Sequence, residues 1–509
     1  MPLRISGLAS GIDVDSIVKD LMKAHRIPLD KLKQQQQLVT WQREAYLALN
    51  SKIYDYRNNK LFKFTLEGTL SARKATVSGE SGVLTAKATG TAPTTTMQIK
   101  VAYVATAASN YSSGDIRLDP TFDPNASLAS QVGAGKIAAF STNSLTINGK
   151  TVTFDPNTDS LNSVIAKINR ETNVSAFYDP GSGRVSFVAK NTGLVNGASG
   201  TGDKIEFGTE DFVVNVLKVS TNSAEAVAAQ NAKIYVNGME IVRTSNTFTI
   251  NGVELQLLKP SSGNPLDPNT LTPTTVQVSL DVDSIVESIK QFVSDYNDML
   301  KAIQDKLGEQ RYRDYLPLTD EQKKEMTEEQ IKLWEEKAKS GLLRNDQYLA
   351  QAERAMRSAI QAVVDTGSTT YKTLSSIGIT TGLYQEKGKL YLDETKLRKA
   401  LEEDPNAVVA LFSQNGTGSA QGIADRIYAA LGNTLNQIKG VAGANPTIFD
   451  QSVLGKKAKE LDARADSLEE KLKELEDHYY RQFSIMEQAI SRYNAQSAYL
   501  MNLFGGRNS

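Results

Sequence analysis

The sequence predicts an α+β multidomain protein, with long helical coiled-coil or bundle segments at both termini and a β-rich central insertion of two subdomains. Three observations predict this fold class. Apolar residues recur at spacings of three and four near both ends, whereas in the middle they alternate singly with polar residues. Asn-Gly pairs interrupt the alternating region. The chain also has 509 residues, more than one core usually organises, so we expect several domains.

The N-terminal segment carries the signals of a long helix. Asp13 and Ser16 can cap its start, because their side-chain oxygens accept hydrogen bonds from free backbone N–H groups. Pro28 is expected to interrupt or restart the helix, since proline lacks an N–H and clashes with the preceding turn. Beyond it a stripe with helical spacing follows, at Leu32, Gln35, Val39, Gln42, Tyr46, Leu49, Ile53 and Tyr56.

The central region indicates β-hairpins. Asn-Gly at Asn148, Asn237 and Asn251 stands between alternating apolar runs, which predicts type I′ turns because both turn residues need positive φ. A fourth hairpin is predicted where PGSG separates SAFYD from RVSFVA. Among the strands one amphipathic helix is predicted, with Ser160 as its cap. Its apolar face comprises Leu161, Val164, Ile165 and Ile168.

Helical periodicity returns at Val282. One apolar stripe then runs through Ile285, Ile289, Phe292, Tyr296, Met299 and Ile303. A charged segment follows, and two short helices are predicted in it because each can open with a capping box. The capping pairs are Thr319 with Gln322 and Thr327 with Gln330.

The C-terminal stretch has the clearest periodicity. A heptad seam extends over about six repeats and predicts a helix of about 65 Å. The seam comprises Leu461, Ala465, Leu468, Leu472, Leu475, Tyr479, Gln482, Met486, Ala489, Tyr493, Gln496, Leu500 and Leu503. Glutamine within both terminal seams fits helices that become fully ordered only inside an assembly. The two seams can pair as an ordinary intramolecular hairpin or with neighbouring subunits.

These patterns predict five parts of the chain. Residues 1–42 form an N-terminal helical leg segment that pairs with a C-terminal coiled-coil leg segment, residues 465–509. A helical bundle domain combines residues 43–70 and 275–464. A first β-rich domain combines residues 71–130 and 225–274, and a second, outer β-rich domain with one helix comprises residues 131–224.

Composition argues against several functions. Lys and Arg total 57 and Asp and Glu 58, so a net charge of -1 gives no reason to expect nucleic acid or a membrane as partner. Cys is absent, which excludes thiol catalysis, and only two His are present to serve a metal site or a triad. The motifs HExxH, GxSxG and GxxxxGK[ST] are missing. We therefore expect neither enzymatic activity nor a cofactor.

The sequence also shows no pattern typical of a secretory signal peptide or a membrane span. The N-terminus lacks a basic stretch followed by an uninterrupted apolar run, so we expect no cleaved secretory signal peptide. No stretch approaches the roughly 18 apolar residues of a membrane span. This pattern fits a cytoplasmic protein, and it equally fits secretion by a route that reads no cleaved signal.

Three blocks of the sequence resemble the bacterial flagellar filament cap family (FliD, a hook-associated protein). The first is SGLASGIDVDSIVKDLMKAHRIPLDKLKQ with WQREAY, which is similar to the family's opening. The second includes PLTDEQKKEMTEEQIKLWEEKAKSGLLRND, SSIGITT and GKLYLDETKLRKALEEDPNAVVALF, and resembles the family's C-terminal domain together with the final heptad helix. The third runs from SLTINGKTVTF through SLNSVIAKIN to GRVSFVA and is similar to the flagellin-type hook repeat. The blocks span nearly the whole chain in the family's order.

The resemblance implies a structural and assembly protein of the bacterial flagellum, and so a role in motility. Such a protein caps the distal tip of the filament and promotes the folding and insertion of exported flagellin. The resemblance further implies a secreted homo-oligomer, usually a pentamer, exported unfolded through the type III channel without a cleaved signal peptide. It implies flagellin and hook–filament junction proteins as partners, and an export chaperone on the C-terminal helix.

On this resemblance we expect the terminal seams to supply subunit and filament contacts. The expected contact residues are Ile17, Leu21, Leu32, Val39, Tyr46, Leu49, Ile53, Leu468, Leu472, Leu475, Tyr479, Met486, Tyr493, Leu500, Leu503 and Phe504. Two alternative functions stay open. A tip adhesin would bind host glycans, for which an exposed aromatic platform within residues 71–275 would be favourable. A hook–filament junction protein would share the helical termini, although GLASGIDVDSIV and GLLRND favour the cap.

Overall fold

The structure, a computed structural model, describes residues 13–194, 203–443 and 450–505, with side chains described as far as residue 502. It divides into two compact units, one formed by Met1–Leu70 with Ile285–Ser509 and the other by Ser71–Ser284. The second unit is therefore inserted between two parts of the first. Long terminal helices around a β-rich insertion confirm the predicted fold class.

The named helices within the described residues are α1 to α11 in chain order. They are α1 (Val14–Asp55), α2 (Leu128–Gly133), α3 (Leu161–Glu171), α4 (Val282–Gly308), α5 (Asp320–Lys324), α6 (Glu328–Lys339), α7 (Gln347–Ile360), α8 (Glu394–Glu403), α9 (Pro405–Ser413), α10 (Ile423–Ala442) and α11 (Val453–Gly505). Both predicted capping boxes are present, at the starts of α5 and α6.

The strands are numbered in the same way. They are β1 (Arg73–Gly79), β2 (Leu84–Ala88), β3 (Thr95–Tyr103), β4 (Ser109–Tyr111), β5 (Ser144–Ile147), β6 (Lys150–Thr153), β7 (Val174–Asp179), β8 (Arg184–Ala189), β9 (Ala232–Val236), β10 (Met239–Arg243), β11 (Thr247–Ile250), β12 (Val253–Leu257), β13 (Thr274–Leu280), β14 (Ile379–Thr381) and β15 (Leu390–Leu392). All but the last two lie in the inserted unit.

Helix α1 corrects one prediction. Asp13 caps its start by accepting a hydrogen bond from the backbone N–H of Ser16, as predicted. The prediction that Pro28 interrupts or restarts the helix was wrong, because α1 continues through Pro28 to Asp55. A proline inside a helix costs about 3 kcal/mol. Burial of the adjacent Leu29 in an apolar cluster shared with α11 offsets that cost.

The core of the helical unit is built on the stripe predicted for α4. Its members are buried, and Phe292 is at the centre of an aromatic cluster with Phe64 and Phe412. The ring centroid of Phe292 lies 5.2 Å from that of Phe64 and 5.1 Å from that of Phe412, and both pairs have edge-to-face geometry. This geometry matches the quadrupoles of the rings. The cluster joins α4 and α9 to the segment that follows α1.

Within its described residues, the inserted unit contains two separate apolar cores. The first core lies around a five-stranded antiparallel sheet of order β1-β13-β3-β9-β10 and a three-stranded sheet of order β11-β12-β2. The second core lies under α3 and the sheets β4-β8-β7 and β5-β6. Two cores agree with the two predicted subdomains. As predicted, the apolar face of α3 belongs to the second core.

The predicted domain limits differ from these cores at two points. The second core already includes Ala108 and Leu128, whereas the prediction started the outer domain at residue 131. Strand β13 pairs with β1 and β3, whereas the prediction assigned residues from 275 to the helical bundle. Small residues between 105 and 135 leave little periodicity to mark the first boundary. The remaining division into domains stays a prediction.

All four predicted hairpins are confirmed. Strands β5 and β6, β9 and β10, and β11 and β12 each pair across an Asn-Gly turn, and β7 pairs with β8 across the PGSG sequence. Asn148, Asn237 and Asn251 have φ of 48°, 48° and 50°, and the glycine after each is also positive. These values are those of type I′ turns.

Two of these turns provide a matched test of a close backbone approach. Gly252 and Gly238 both have positive φ, but a Cβ on Gly252 would lie 2.8 Å from the Cα of Ala92, whereas a Cβ on Gly238 meets nothing within 4 Å. Gly238→Ala should therefore cost about 1–2 kcal/mol, for the left-handed backbone alone. Gly252→Ala should cost about 1–3 kcal/mol more, because the backbone of Ala92 must shift. Urea unfolding of the inserted unit in both variants measures the difference in the free energy of unfolding, and equal losses would contradict the prediction.

Candidate assembly interface

The terminal helices form an antiparallel pair, which we call the leg, composed of residues 14–42 in α1 and 461–502 in α11. Apolar side chains of the two helices form its seam. The buried members are Val14, Val18, Met22, Leu29, Ala465 and Leu472, and partly buried members are Leu468, Leu475, Tyr479, Tyr480 and Phe483. Packing between the two helices therefore supports the predicted intramolecular pairing from Val14 to Leu29 in α1 and from Ala465 to Phe483 in α11.

Polar contacts flank the seam. Arg26 lies 3.6 Å from Glu476, and Lys33 lies 3.7 Å from Glu469. All four side chains are substantially exposed, so each pair contributes at most about 1 kcal/mol. The side-chain amide of Gln36 also donates to Asp462. The seam, rather than these ion pairs, accounts for most of the stability of the leg.

A partly buried ion pair fixes the root of the leg. The guanidinium of Arg43 lies 2.6 Å from the carboxylate of Asp450 and also donates to the carbonyl of Ala442 at 2.8 Å. Burial raises the pKa of Asp450, but hydrogen bonds from Ser452 and the charge of Arg43 outweigh this effect and lower it overall. Asp450 thus stays ionised at neutral pH and holds the approach to α11 against α1 and the end of α10.

A second buried contact lies close to the root. Tyr46 on α1 donates its hydroxyl hydrogen bond to Asp346, the residue that caps α7. Burial, with the hydrogen bond and the charge of Asp346, raises the pKa of Tyr46, so the phenol remains a neutral donor. Helix α1 is therefore held to the helical unit by both packing and polar contacts.

The far end of α11 has a different environment. Every residue from 491 to 502 is exposed. Four of them, Tyr493, Tyr499, Leu500 and Met501, are large and largely apolar, and between 50 and 74% of each is exposed. We call these four residues the tail. The described part of the chain leaves them uncovered, which is unusual for neighbouring apolar residues on one helix.

The residues predicted to contact other subunits divide into three groups by burial. Buried within the chain are Val39, Tyr46, Leu49, Ile53 and Leu472. Partly buried are Leu32, Leu468, Leu475, Tyr479 and Met486. Exposed are Ile17, Leu21, Tyr493 and Leu500. The first group packs within the chain. Contact with other subunits stays a prediction for all three groups. The side chains of Leu503 and Phe504 lie outside the described residues.

Sequence reasoning missed part of the buried face. In the first turns of α1 the seam uses Val14, Val18 and Met22, whereas Ile17 and Leu21 point away from it. A four-residue spacing from Val14 through Val18 to Met22 could have indicated this face. Helical periodicity alone does not choose between two adjacent apolar stripes.

The described residues contain neither a group of three or more His, Cys, Asp or Glu placed to hold a metal ion nor a helix long and apolar enough to cross a membrane.

Comparison with known families covers most of the chain. The family described as flagellar hook-associated protein 2 matches with its N-terminus at residues 10–108 and its C-terminus at residues 229–495. The flagellin hook IN motif matches residues 144–191, which include the β5–β6 and β7–β8 hairpins and α3.

Individual relatives extend this result. Flagellar hook-associated protein 2 of Halalkalibacterium halodurans is 32% identical, over 99% of this chain and 100% of the relative. The protein of that name from Escherichia coli K12 is 25% identical, over 98% of this chain and 97% of the relative. The crystal structure of the D1-D2-D3 domains of the flagellar cap protein FliD from Escherichia coli matches with a TM-score of 0.52 and 21% identity. That match covers 82% of this chain and 99% of the crystallised chain, and it shows a shared fold.

The β-rich insertion carries the hook motif, and the terminal helices form a leg with an uncovered tail. These features place the chain in the class of structural components of the bacterial flagellum. Within that class the family matches are specific. The chain belongs to the flagellar hook-associated protein 2 family, the filament cap proteins known as FliD.

Proposed function

We propose that this protein assembles as a homo-oligomer, a pentamer, at the distal tip of the flagellar filament, where it promotes the folding and insertion of exported flagellin. The legs of the oligomer contact hook–filament junction proteins before the filament grows, and they contact flagellin afterwards. The tail carries the proposal, because exposed apolar residues near the end of a long helix are typical of a surface that binds a partner. Family membership supports a partner surface within the flagellum.

Export of the protein belongs to the same proposal. The chain reaches the extracellular tip unfolded, through the type III channel and without a cleaved signal peptide. Before export, a chaperone covers the C-terminal helix. The same exposed tail supports this step, because an uncovered apolar helix would otherwise associate non-specifically in the cell.

Electron microscopy of cells that lack the gene tests the cap function. The expected result is an absence of filaments together with unpolymerised flagellin in the medium. Complementation with the intact gene should restore filaments. Normal filaments in the deletion strain would overturn the proposal.

One observation favours a second role, adhesion of the tip to host glycans. The outer face of the sheet β4-β8-β7 exposes Tyr111 and Phe177, which flank Ser186 on the central strand. The guanidinium of Arg184 lies 5.7 Å from the centre of the Tyr111 ring. Flat aromatic rings beside hydroxyl and guanidinium groups suit a sugar, which offers both an apolar face and hydroxyls.

Glycan binding by the full chain tests this second role. Replacing Tyr111 and Phe177 by Ala should weaken binding to immobilised mucin glycans about tenfold, since each ring contributes about 0.5–1.5 kcal/mol. Tyr384→Ala is the matched control, because this tyrosine is 90% exposed in the helical unit. Equal binding by the double variant and the control would contradict an adhesive role for this face.

A further inference from the structure

A basic concavity lies beside the root of the leg. It has a volume of about 900 Å³ and is lined by α1, the first turn of α11 and the segments on either side of α5 and α6. Arg311, Arg313, Arg344 and Lys457 line it, together with the amides of Gln35 and Gln42, and none of the described acidic side chains does. We call this site the basic pocket. Four positive charges at one site stand out in a chain whose net charge is only -1.

Local structure holds Arg311 in place in the basic pocket. Its guanidinium donates to the carbonyls of Ala338 at 2.6 Å and Ser340 at 3.0 Å, at the end of α6. Gly341, with φ of +69°, allows this approach, because a Cβ there would lie 2.8 Å from the backbone of Arg311. Burial and then the neighbouring charge of Arg313 lower the pKa of Arg311. A guanidinium remains charged regardless, so the site keeps its positive potential.

The other three cations are not neutralised by ion pairs within the part of the chain that the structure describes. Among the described residues, Arg313, Arg344 and Lys457 form no ion pair, and all three are exposed. The concavity could hold roughly 30 water molecules at about 30 Å³ each, far more than one inorganic oxyanion displaces. Its charge and size therefore suit a protein segment that presents several carboxylates.

Helix α11 itself carries a suitable segment. Asp466, Glu470 and Glu474 are spaced four residues apart, so they lie along one side of the helix, and all three are exposed. No ion pair is formed by these three carboxylates within the described residues. We call them the acidic stripe. The basic pocket and the acidic stripe are complementary in charge.

The acidic stripe cannot fill the pocket of its own chain. Lys457 lines the pocket from α11, and Glu470 lies 13 residues further along the same continuous helix, about 20 Å away at 1.5 Å per residue. A straight helix keeps this separation fixed. Contact between the basic pocket and an acidic stripe must therefore join two copies of the chain.

We propose that the basic pocket receives the acidic stripe of a second copy of this chain, and that this contact sets the register between neighbouring legs. The inference rests on the proposed homo-oligomer and names one of its contacts. Such a contact is heterologous, so each copy offers its pocket to one neighbour and its stripe to another, as a closed ring requires. Exposed charge pairs act mainly on specificity and are screened by salt, so association should weaken as ionic strength rises.

Charge reversal tests the contact, with self-association of the full chain measured by sedimentation velocity at low salt. One variant reverses the pocket, with Arg313→Glu and Arg344→Glu, and the other reverses the stripe, with Glu470→Lys and Glu474→Lys. Each variant alone should associate at least tenfold more weakly than the unaltered chain. An equimolar mixture of the two should regain association between unlike variants, because each reversed surface then meets its complement. A ring of five keeps one mismatched contact, so the mixture should recover most but not all of the association.

A control variant and a cross-linking measurement complete the test. Lys324→Glu with Lys332→Glu makes the same charge change at exposed positions of the same unit and should leave association unchanged. Since the chain contains no Cys, Arg344→Cys and Glu470→Cys place unique thiols on separate copies. A short bis-maleimide should link the two copies in a mixture and should not link either variant with itself.

Each failure has a separate meaning. If the unaltered chain does not associate, the proposed homo-oligomer is overturned. If it associates but reversal of the pocket or the stripe has no effect, only the pocket inference is overturned. If the pocket variant associates weakly and the mixture does not recover, the pocket binds something other than the stripe, and the inference fails in its choice of partner.

Discussion

Loss of the apolar side chains at the end of the tail should abolish filament growth while leaving both units folded. Deleting residues 500–509 takes away Leu500 and Met501, which the described part of the chain leaves uncovered. The variant Tyr499→Gln, Leu500→Gln and Met501→Gln changes only side chains, and glutamine preserves the helix. Each large apolar side chain contributes about 1.5–3 kcal/mol when it is fully buried by a partner. Losing three should therefore weaken the contact by more than a hundredfold.

Filament counts by electron microscopy, with assay of unpolymerised flagellin in the medium, measure the result. Leu333→Gln is a matched control, because this leucine is 57% exposed on α6, away from the tail. The control strain should make normal filaments. Hydrogen exchange in the β strands should be unchanged in all variants, which separates loss of contact from unfolding. Normal filaments with the triple variant would show that the tail contacts nothing the cap needs.

Phe292→Ala should cause the largest loss of stability, about 3–5 kcal/mol in the free energy of unfolding of the helical unit. The ring is buried at the centre of three aromatics, and its removal leaves a cavity bounded by Phe64 and Phe412. Urea unfolding followed by hydrogen exchange in α4 and α9 measures the loss. Strands of the inserted unit should keep their protection, because they belong to a different compact unit.

A surface phenylalanine provides the control for this second prediction. Phe177→Ala removes the same atoms at a site that is 59% exposed, so it should cost about 1 kcal/mol or less. A loss of similar size for both variants would mean that the aromatic cluster contributes no more than ordinary surface packing.

The features predicted best from sequence are those that a few neighbouring residues determine. Each Asn-Gly turn requires positive φ at two adjacent positions, and each capping box needs two side chains three residues apart. The buried stripe of α4 was also predicted correctly, because the helix has a single apolar face and only that face can pack against the core. Local rules thus predicted the elements and their types.

Features that depend on distant residues were not predictable. Arg43 and Asp450 are ordinary surface residue types until the fold places one beside the other. The path of α1 through Pro28 depends on packing against α11, more than 400 positions away in sequence. In the candidate interface, the choice of Val18 and Met22 over Ile17 and Leu21 has the same origin. Sequence identified the helices of the leg, and only the fold shows which of their faces remain exposed.

The insertion of the β-rich unit imposes an order on folding. Gln36 and Asp462, which meet across the leg, are separated by 426 positions in the chain. Strand pairs within the insertion close much shorter loops, and short loops close sooner. The leg is thus the last part that a newly emerged chain can complete. Until the leg forms, α1 and α11 each expose an unpaired apolar stripe. Another protein can therefore bind either helix most easily while the chain is emerging, in the position that the other helix later takes.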